Sequence, residues 1–166
     1  GDPGGGWPGT LDDIQLALSQ LELLSSHPID LSRIAVAGHS AGGHLALMAG
    51  AGLTSAKAVI GLAAIVDIET YSMGSNSCQT AGPVFMGVSL NDEPELYALA
   101  NPVKQALNPA SILLHGANDE IVPLDHFPQD LLPLSIVAGA GHFDWIHPGT
   151  PAYHLFLGTL KSRLAQ

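Results

Sequence analysis

Positive charge is scarce in this sequence. Lys and Arg together number 5 against 15 Asp and Glu, giving a formal net charge of −10 over 166 residues. So few cations cannot track a phosphate backbone or hold an anionic bilayer surface, which argues against nucleic acid and membrane as partners. Cys78 is the sole cysteine. No internal disulfide or thiolate zinc cluster can therefore form, and the compartment stays open with the cytoplasm favoured. No apolar run approaches the ~20 residues of a membrane span. Compact metal-ligand spacing such as H-E-x-x-H is missing despite 8 histidines, so neither a metal nor another cofactor is expected. Charged residues are also few, at 12% against 46% apolar. That balance fits a folded chain whose surface is largely covered, by its own fold or by a partner.

What is present reads as one α/β domain over residues 1–166. A Gly/Pro loop at 1–9 precedes an amphipathic helix over 10–25, with a capping-box-like start at Thr10-Leu11-Asp12-Asp13 and apolar residues at helical spacing. Strands are expected at 33–37, 58–63, 111–115 and 134–138, and helices at 44–49 and from Thr150-Pro151 onward, where proline takes the first helical position. Strands that are apolar throughout and alternate with helices predict a short parallel sheet of about four strands in a three-layer α/β/α arrangement. The stretch 67–109 is less regular and reads as a cap-like segment. Its residues 72–82 read as a loop, and Glu95 to Ala100 as a helical turn or two.

Three motifs carry chemistry. Gly38-His39-Ser40-Ala41-Gly42 is G-x-S-x-G between a strand and a helix, where the sharp turn exposes the serine hydroxyl above the sheet. The helix that follows offers free N–H groups, and Ala41 N–H is the assignable oxyanion donor. Asp119 follows the third strand, at the same sheet edge as Ser40; Glu120 and Asp125 are the alternative acids. His142, in Gly139-Ala140-Gly141-His142-Phe143, follows the fourth strand. The order Ser, Asp, His singles it out from the other histidines. His39 and His44 flank the elbow and are expected to pack or to touch substrate.

These blocks resemble the α/β-hydrolases of the bacterial kynurenine-formamidase, acetyl-esterase and feruloyl-esterase-like group. The likeness rests on the lead-in at 1–10, Val-Ala-Gly-His-Ser-Ala-Gly-Gly-His-Leu-Ala at 36–46, His-Gly-x-x-Asp-x-x-Val-Pro at 115–123 and Gly-Ala-Gly-His-Phe-Asp-Trp-Ile-His-Pro at 139–148. It implies Ser40 as nucleophile, Asp119 as acid and His142 as base. It also implies that the first four strands of the usual eight-stranded fold, and the oxyanion loop they carry, precede the point where this sequence begins. That start lacks Met and reads as a loop cut open, or as a processed or engineered boundary. Gly4-Gly5-Gly6-Trp7 is read as the lead-in to the first helix rather than as a substitute oxyanion loop.

The resulting expectation is a serine carboxylesterase acting on small acyl esters through an acyl-Ser40 intermediate. The alternatives are an arylformamidase with the same triad, or a weakened hydrolase fragment serving as an assembly or binding module. The strand at 33–37 is expected to be an open edge, covered in a homo-oligomer or by a complementing half.

Overall fold

The structure, a computed structural model, describes residues 5–128 and 130–166. The first four residues of the lead-in block, including Gly4, lie outside the described residues. Four parallel strands form one sheet in the order β1-β2-β3-β4: β1 Ala35–His39, β2 Ala58–Leu62, β3 Ser111–Gly116 and β4 Leu134–Val137. Register runs Ala35 to Ala58 and on to His39 opposite Leu62 between β1 and β2. It continues from Val59 opposite Ser111 between β2 and β3.

The sheet is covered on both faces because side chains alternate along each strand. Ala58, Ile60 and Leu62 join Ile112, Leu114 and Trp145 on one side, against Phe156 and Leu160 of α6 (Pro151–Leu164). Val59 and Leu113 face the other way, onto Leu47 of α2 (Ala41–Gly50). α1 (Gly9–Ser19) packs outside α2 through Leu11, Ile14 and Leu18 against Met48 and Ala49. This is the α/β class expected from the apolar strands, with the central pair β2 and β3 wholly buried.

Several boundaries differ from the sequence reading. The first helix starts at Gly9 and no side chain caps it; Pro8 holds the N-cap position. It stops at Ser19, and a separate 3-10 turn, Leu21–Leu24, follows. β1 begins two residues later than expected because its pairing starts at Ala35. Arg33, included in the expected strand, instead donates from Nε to the carbonyl of Leu164 at 2.6 Å. The irregular segment 67–109 holds three short helices: α3 (Ile68–Ser72), α4 (Ala81–Met86) and α5 (Pro94–Ala100). Asp67 caps α3 by accepting from Glu69 N and Thr70 N, and also takes the Asn101 amide at 2.8 Å. The Thr150 hydroxyl caps α6 by accepting from Tyr153 N, as its Thr-Pro start predicted.

β1 and β4 are the two edges of the sheet. β4 is exposed along most of its length, with Ile136 52% accessible. β1 is only partly buried.

Candidate active site

The site sits at the C-terminal ends of the parallel strands, where loops leave the sheet together. Ser40 is the first residue after β1 and holds φ 56°, ψ −120°. A non-glycine residue at positive φ is strained by roughly 1–3 kcal/mol and persists only where its surroundings enforce it. Here the enforcement is explicit. Ser40 N donates to Leu62 O at 2.9 Å, and Ser40 O accepts from His44 N at 3.1 Å and from Ile65 N at 3.4 Å. The elbow is thus stapled to the end of β2 and to α2. No hydrogen bond of Ser40 Oγ is present among the described residues.

The two glycines of the motif differ in kind. A Cβ on Gly38 would lie 2.0 Å from Gly42 O, a contact with backbone that nothing nearby can relieve. A Cβ on Gly42 would meet nothing within 4 Å. Gly38→Ala is therefore expected to lower stability by about 3 kcal/mol, the upper part of the usual overpacking range. Gly42→Ala is expected to be neutral or slightly stabilising. Urea denaturation midpoints of both variants test this, and equal effects would contradict it.

Asp119 and His142 meet at the other side of the site. His142 Nδ1 lies 2.8 Å from Asp119 Oδ2, and both side chains are buried. Asp119 Oδ1 accepts from Ile121 N and Val122 N, each at 2.9 Å. His115, wholly buried, closes the same turn by donating from Nε2 to Val122 O at 2.9 Å. Burial pushes the Asp119 carboxyl up, but the bonds from His142, Val122 and Ile121 together outweigh it and hold the group below its ordinary value. The two alternative acids lie elsewhere. Glu120 and Asp125 are exposed, and Asp125 lies 3.9 Å from His126.

Ala41 is the first residue of α2, so its N–H has no partner inside the helix, and no other backbone partner for it is present among the described residues. The glycine-rich lead-in does not present a comparable donor at Trp7. That N–H is committed to Phe85 O at 2.8 Å, and the indole leans on His44 and Phe85. The segment is tied to α4 by this bond, and Gly6 O accepts from Thr10 N at 2.8 Å where the chain turns into α1.

Beside Ala41 lies a pocket of about 120 Å³, walled by His44 and Leu45 of α2 and by Ile68, Tyr71, Cys78 and Phe85. Its far wall comes from the stretch 67–109, where the sequence offered no periodicity to assign individual residues. The Tyr71 hydroxyl is buried and has no partner among the described residues, and burial, with Cys78 and Asp119 nearby, pushes its pKa up to about 12. His44 is tied down by a bond from Nε2 to Ala100 O at 2.7 Å. It serves packing and the pocket wall together, as the sequence suggested.

The buried and half-buried imidazoles predict how stability responds to acid. Burial holds His39, His44 and His115 below their ordinary pKa. Each then contributes stability above the unfolded-state value of about 6.5, which is lost as pH falls toward the folded value, because the unfolded chain takes up the proton first. Asp119, depressed below the usual carboxyl value, adds its own loss below about pH 4. The melting temperature is expected to be highest near neutrality and to fall steadily below about pH 6.5. A flat profile between pH 7 and 5 would contradict it. Among the described residues no group of His, Cys, Asp and Glu side chains is arranged to hold a metal ion.

Comparison with known proteins places the chain in a family. The BD-FAE family model matches residues 4–129. Esterase LipC of Mycobacterium tuberculosis is 26% identical over 195 residues, covering 96% of this chain and 48% of that protein. The chain thus spans about half the length of the curated relative it matches. Among solved structures, a truncated form of a carbohydrate esterase from gut microbiota superposes with a TM-score of 0.75 at 20% identity, over 97% of this chain and 70% of that one. Esterase B of Lactobacillus rhamnosus (HN001) gives 0.74 at 17% identity, over 97% of this chain and 62% of that one. At those identities the structures speak for the fold alone, and the family follows from the sequence match: the chain belongs to the BD-FAE family, an esterase-type hydrolase family with the α/β-hydrolase fold.

Proposed function

We propose that this protein is a serine carboxylesterase for small acyl esters, with Ser40 as nucleophile, His142 as general base and Asp119 as the acid that orients it. The observations that carry the reading are the buried 2.8 Å contact between His142 Nδ1 and Asp119 Oδ2 and a serine held at positive φ at the end of β1. A carboxylate at Nδ1 keeps the proton there and leaves Nε2 as the acceptor. His142 then takes the Ser40 proton as Oγ attacks the ester carbonyl. The tetrahedral oxyanion faces Ala41 N–H. Collapse expels the alcohol, which receives its proton from His142, and leaves acyl-Ser40. Water, activated by the same imidazole, releases the acid.

The same logic assigns the pocket. The leaving oxygen must face His142 to be protonated, so the acyl substituent points away from it. The pocket beside Ala41 draws no wall from the loop carrying His142. It is therefore assigned to the acyl group, and its volume suits a short chain. The test compares p-nitrophenyl acetate and butyrate with N-formylkynurenine, alongside fluorophosphonate labelling of Ser40. Rapid turnover of the esters with labelling at Ser40 is expected. Turnover of the formamide alone would favour an arylformamidase with the same residues, and no labelling would leave a binding or assembly module.

The edge position of β1 extends the proposal to assembly. An unpaired strand edge is a template for pairing, and Leu16 of α1 and Leu23 and Leu24 of the turn after it are exposed. A second copy of the chain covering this edge near Ser40 is the simplest partner; a complementing half from elsewhere is the other. Light scattering at micromolar concentration is expected to give a dimer, and a fully active monomer would contradict it.

A further inference from the structure

The sheet places the nucleophile and the base far apart. Ser40 leaves β1 at one edge, while the loop with His142 leaves β4 at the other, with β2 and β3 between them. To stand over Ser40, that loop must reach back across the ends of two strands. Most of its ties do not pull it that way. Ala117 N donates to Val137 O and Asn118 N to Ala140 O, which hold it to the end of β3. Asp119 holds the His142 ring, again from the β3 side. Gly141 N to Asp144 Oδ2 and Thr150 Oγ1 to Asp144 O act within the loop and the start of α6.

Among the described residues, the hydrogen bond from this loop that reaches β1 runs through His39. His39, the last residue of that strand and the neighbour of Ser40, has its Nε2 2.8 Å from the backbone carbonyl of His142. A carbonyl only accepts, so Nε2 carries the proton and donates. The two imidazoles also lie against each other, with centroids 4.5 Å apart and planes inclined by 54°. Phe143 closes on the same ring at 5.8 Å. His39 is thus hydrogen-bonded to the base's backbone and packed on its side chain. Its Nε2 is occupied as a donor to that carbonyl, so that nitrogen cannot take the Ser40 proton.

We infer that His39 is a positioning residue, tying the loop that carries His142 to the strand that carries Ser40 and so fixing the separation of base and nucleophile. The inference rests on the roles proposed above for Ser40 and His142. It gives the variable residue inside the G-x-S-x-G turn a definite task in this chain. The task needs an N–H at the position of Nε2, and no charge.

That requirement sets the test. The amide nitrogen of glutamine lies as many bonds from Cα as His Nε2, and that of asparagine as many as Nδ1. His39→Gln can keep the bond to His142 O, whereas His39→Asn cannot. With p-nitrophenyl butyrate, His39→Asn is expected to lower kcat by up to ~10²-fold, the scale of a misplacement of about 1 Å, with KM changed by no more than about twofold. His39→Gln is expected to stay within about threefold of the parent kcat. The downfield proton resonance of His142 Nδ1–H should remain sharp in His39→Gln and broaden in His39→Asn. Equal behaviour of the two variants, or a loss confined to KM, would overturn the inference. If the unmodified protein hydrolyses no ester, the esterase reading fails by itself. The proton resonance still decides whether His39 holds His142 in place.

Discussion

Ser40→Ala is expected to remove ester hydrolysis almost completely, with a loss of about 10⁶ in kcat, while the protein folds as before. The second half of that statement follows from the geometry. The bonds that shape the elbow use the backbone N–H and carbonyl of residue 40, not its hydroxyl. Alanine leaves them intact and introduces no new steric demand at φ 56° beyond the Cβ already there. Without Oγ no acyl-enzyme can form, so the oxyanion donor and the pocket have no covalent step to assist. Circular dichroism and melting temperature should match the parent, and fluorophosphonate labelling should vanish. A variant that folds normally and still hydrolyses p-nitrophenyl esters at the parent rate would disprove the nucleophile assignment.

The parts of the site legible in the sequence were those whose chemistry and placement coincide. Gly38 to Gly42 stands where an apolar run gives way to a helix-forming run, and that junction is an elbow in the structure too. Asp119 and His142 each follow an apolar strand, and parallel strands deliver their C-terminal loops to one edge. The fold class followed from β2 and β3, which are apolar on both faces because helices cover both sides.

What was not legible depends on contacts distant in sequence or on elements shorter than their own period. α3, α4 and α5 have 5, 6 and 7 residues. Such lengths give barely one or two turns, so no apolar stripe can repeat. The pocket beside Ala41 takes its far wall from α3, α4 and the stretch between them, and its Tyr71, Cys78 and Phe85 carried no signal of their own. The task of His39 depends on a residue 103 positions away. The two glycines of the elbow look equivalent as letters, yet only Gly38 is pressed by backbone. The capping box at Thr10 failed because Pro8 and Gly9 already begin the helix one residue earlier.

Asp119→Asn tests the acid with nearly no change of shape, and a loss in kcat of up to ~10⁴ is expected. The reason lies in what each carboxylate oxygen already does. Oδ1 accepts from Ile121 N and Val122 N, so the carbonyl of asparagine is held there. The amide NH₂ then replaces Oδ2 and faces His142 Nδ1. Two donors cannot meet, so His142 must move its proton to Nε2. That tautomer has no lone pair for the Ser40 hydroxyl. Turning the amide around does not help, because its NH₂ would then face two backbone N–H groups in a buried turn. Glu120→Gln, at an exposed neighbour, should leave kcat within about twofold, a change typical of surface substitutions far from special features. A kcat for Asp119→Asn within tenfold of the parent would remove Asp119 from the triad and reopen the choice among the acids of its loop.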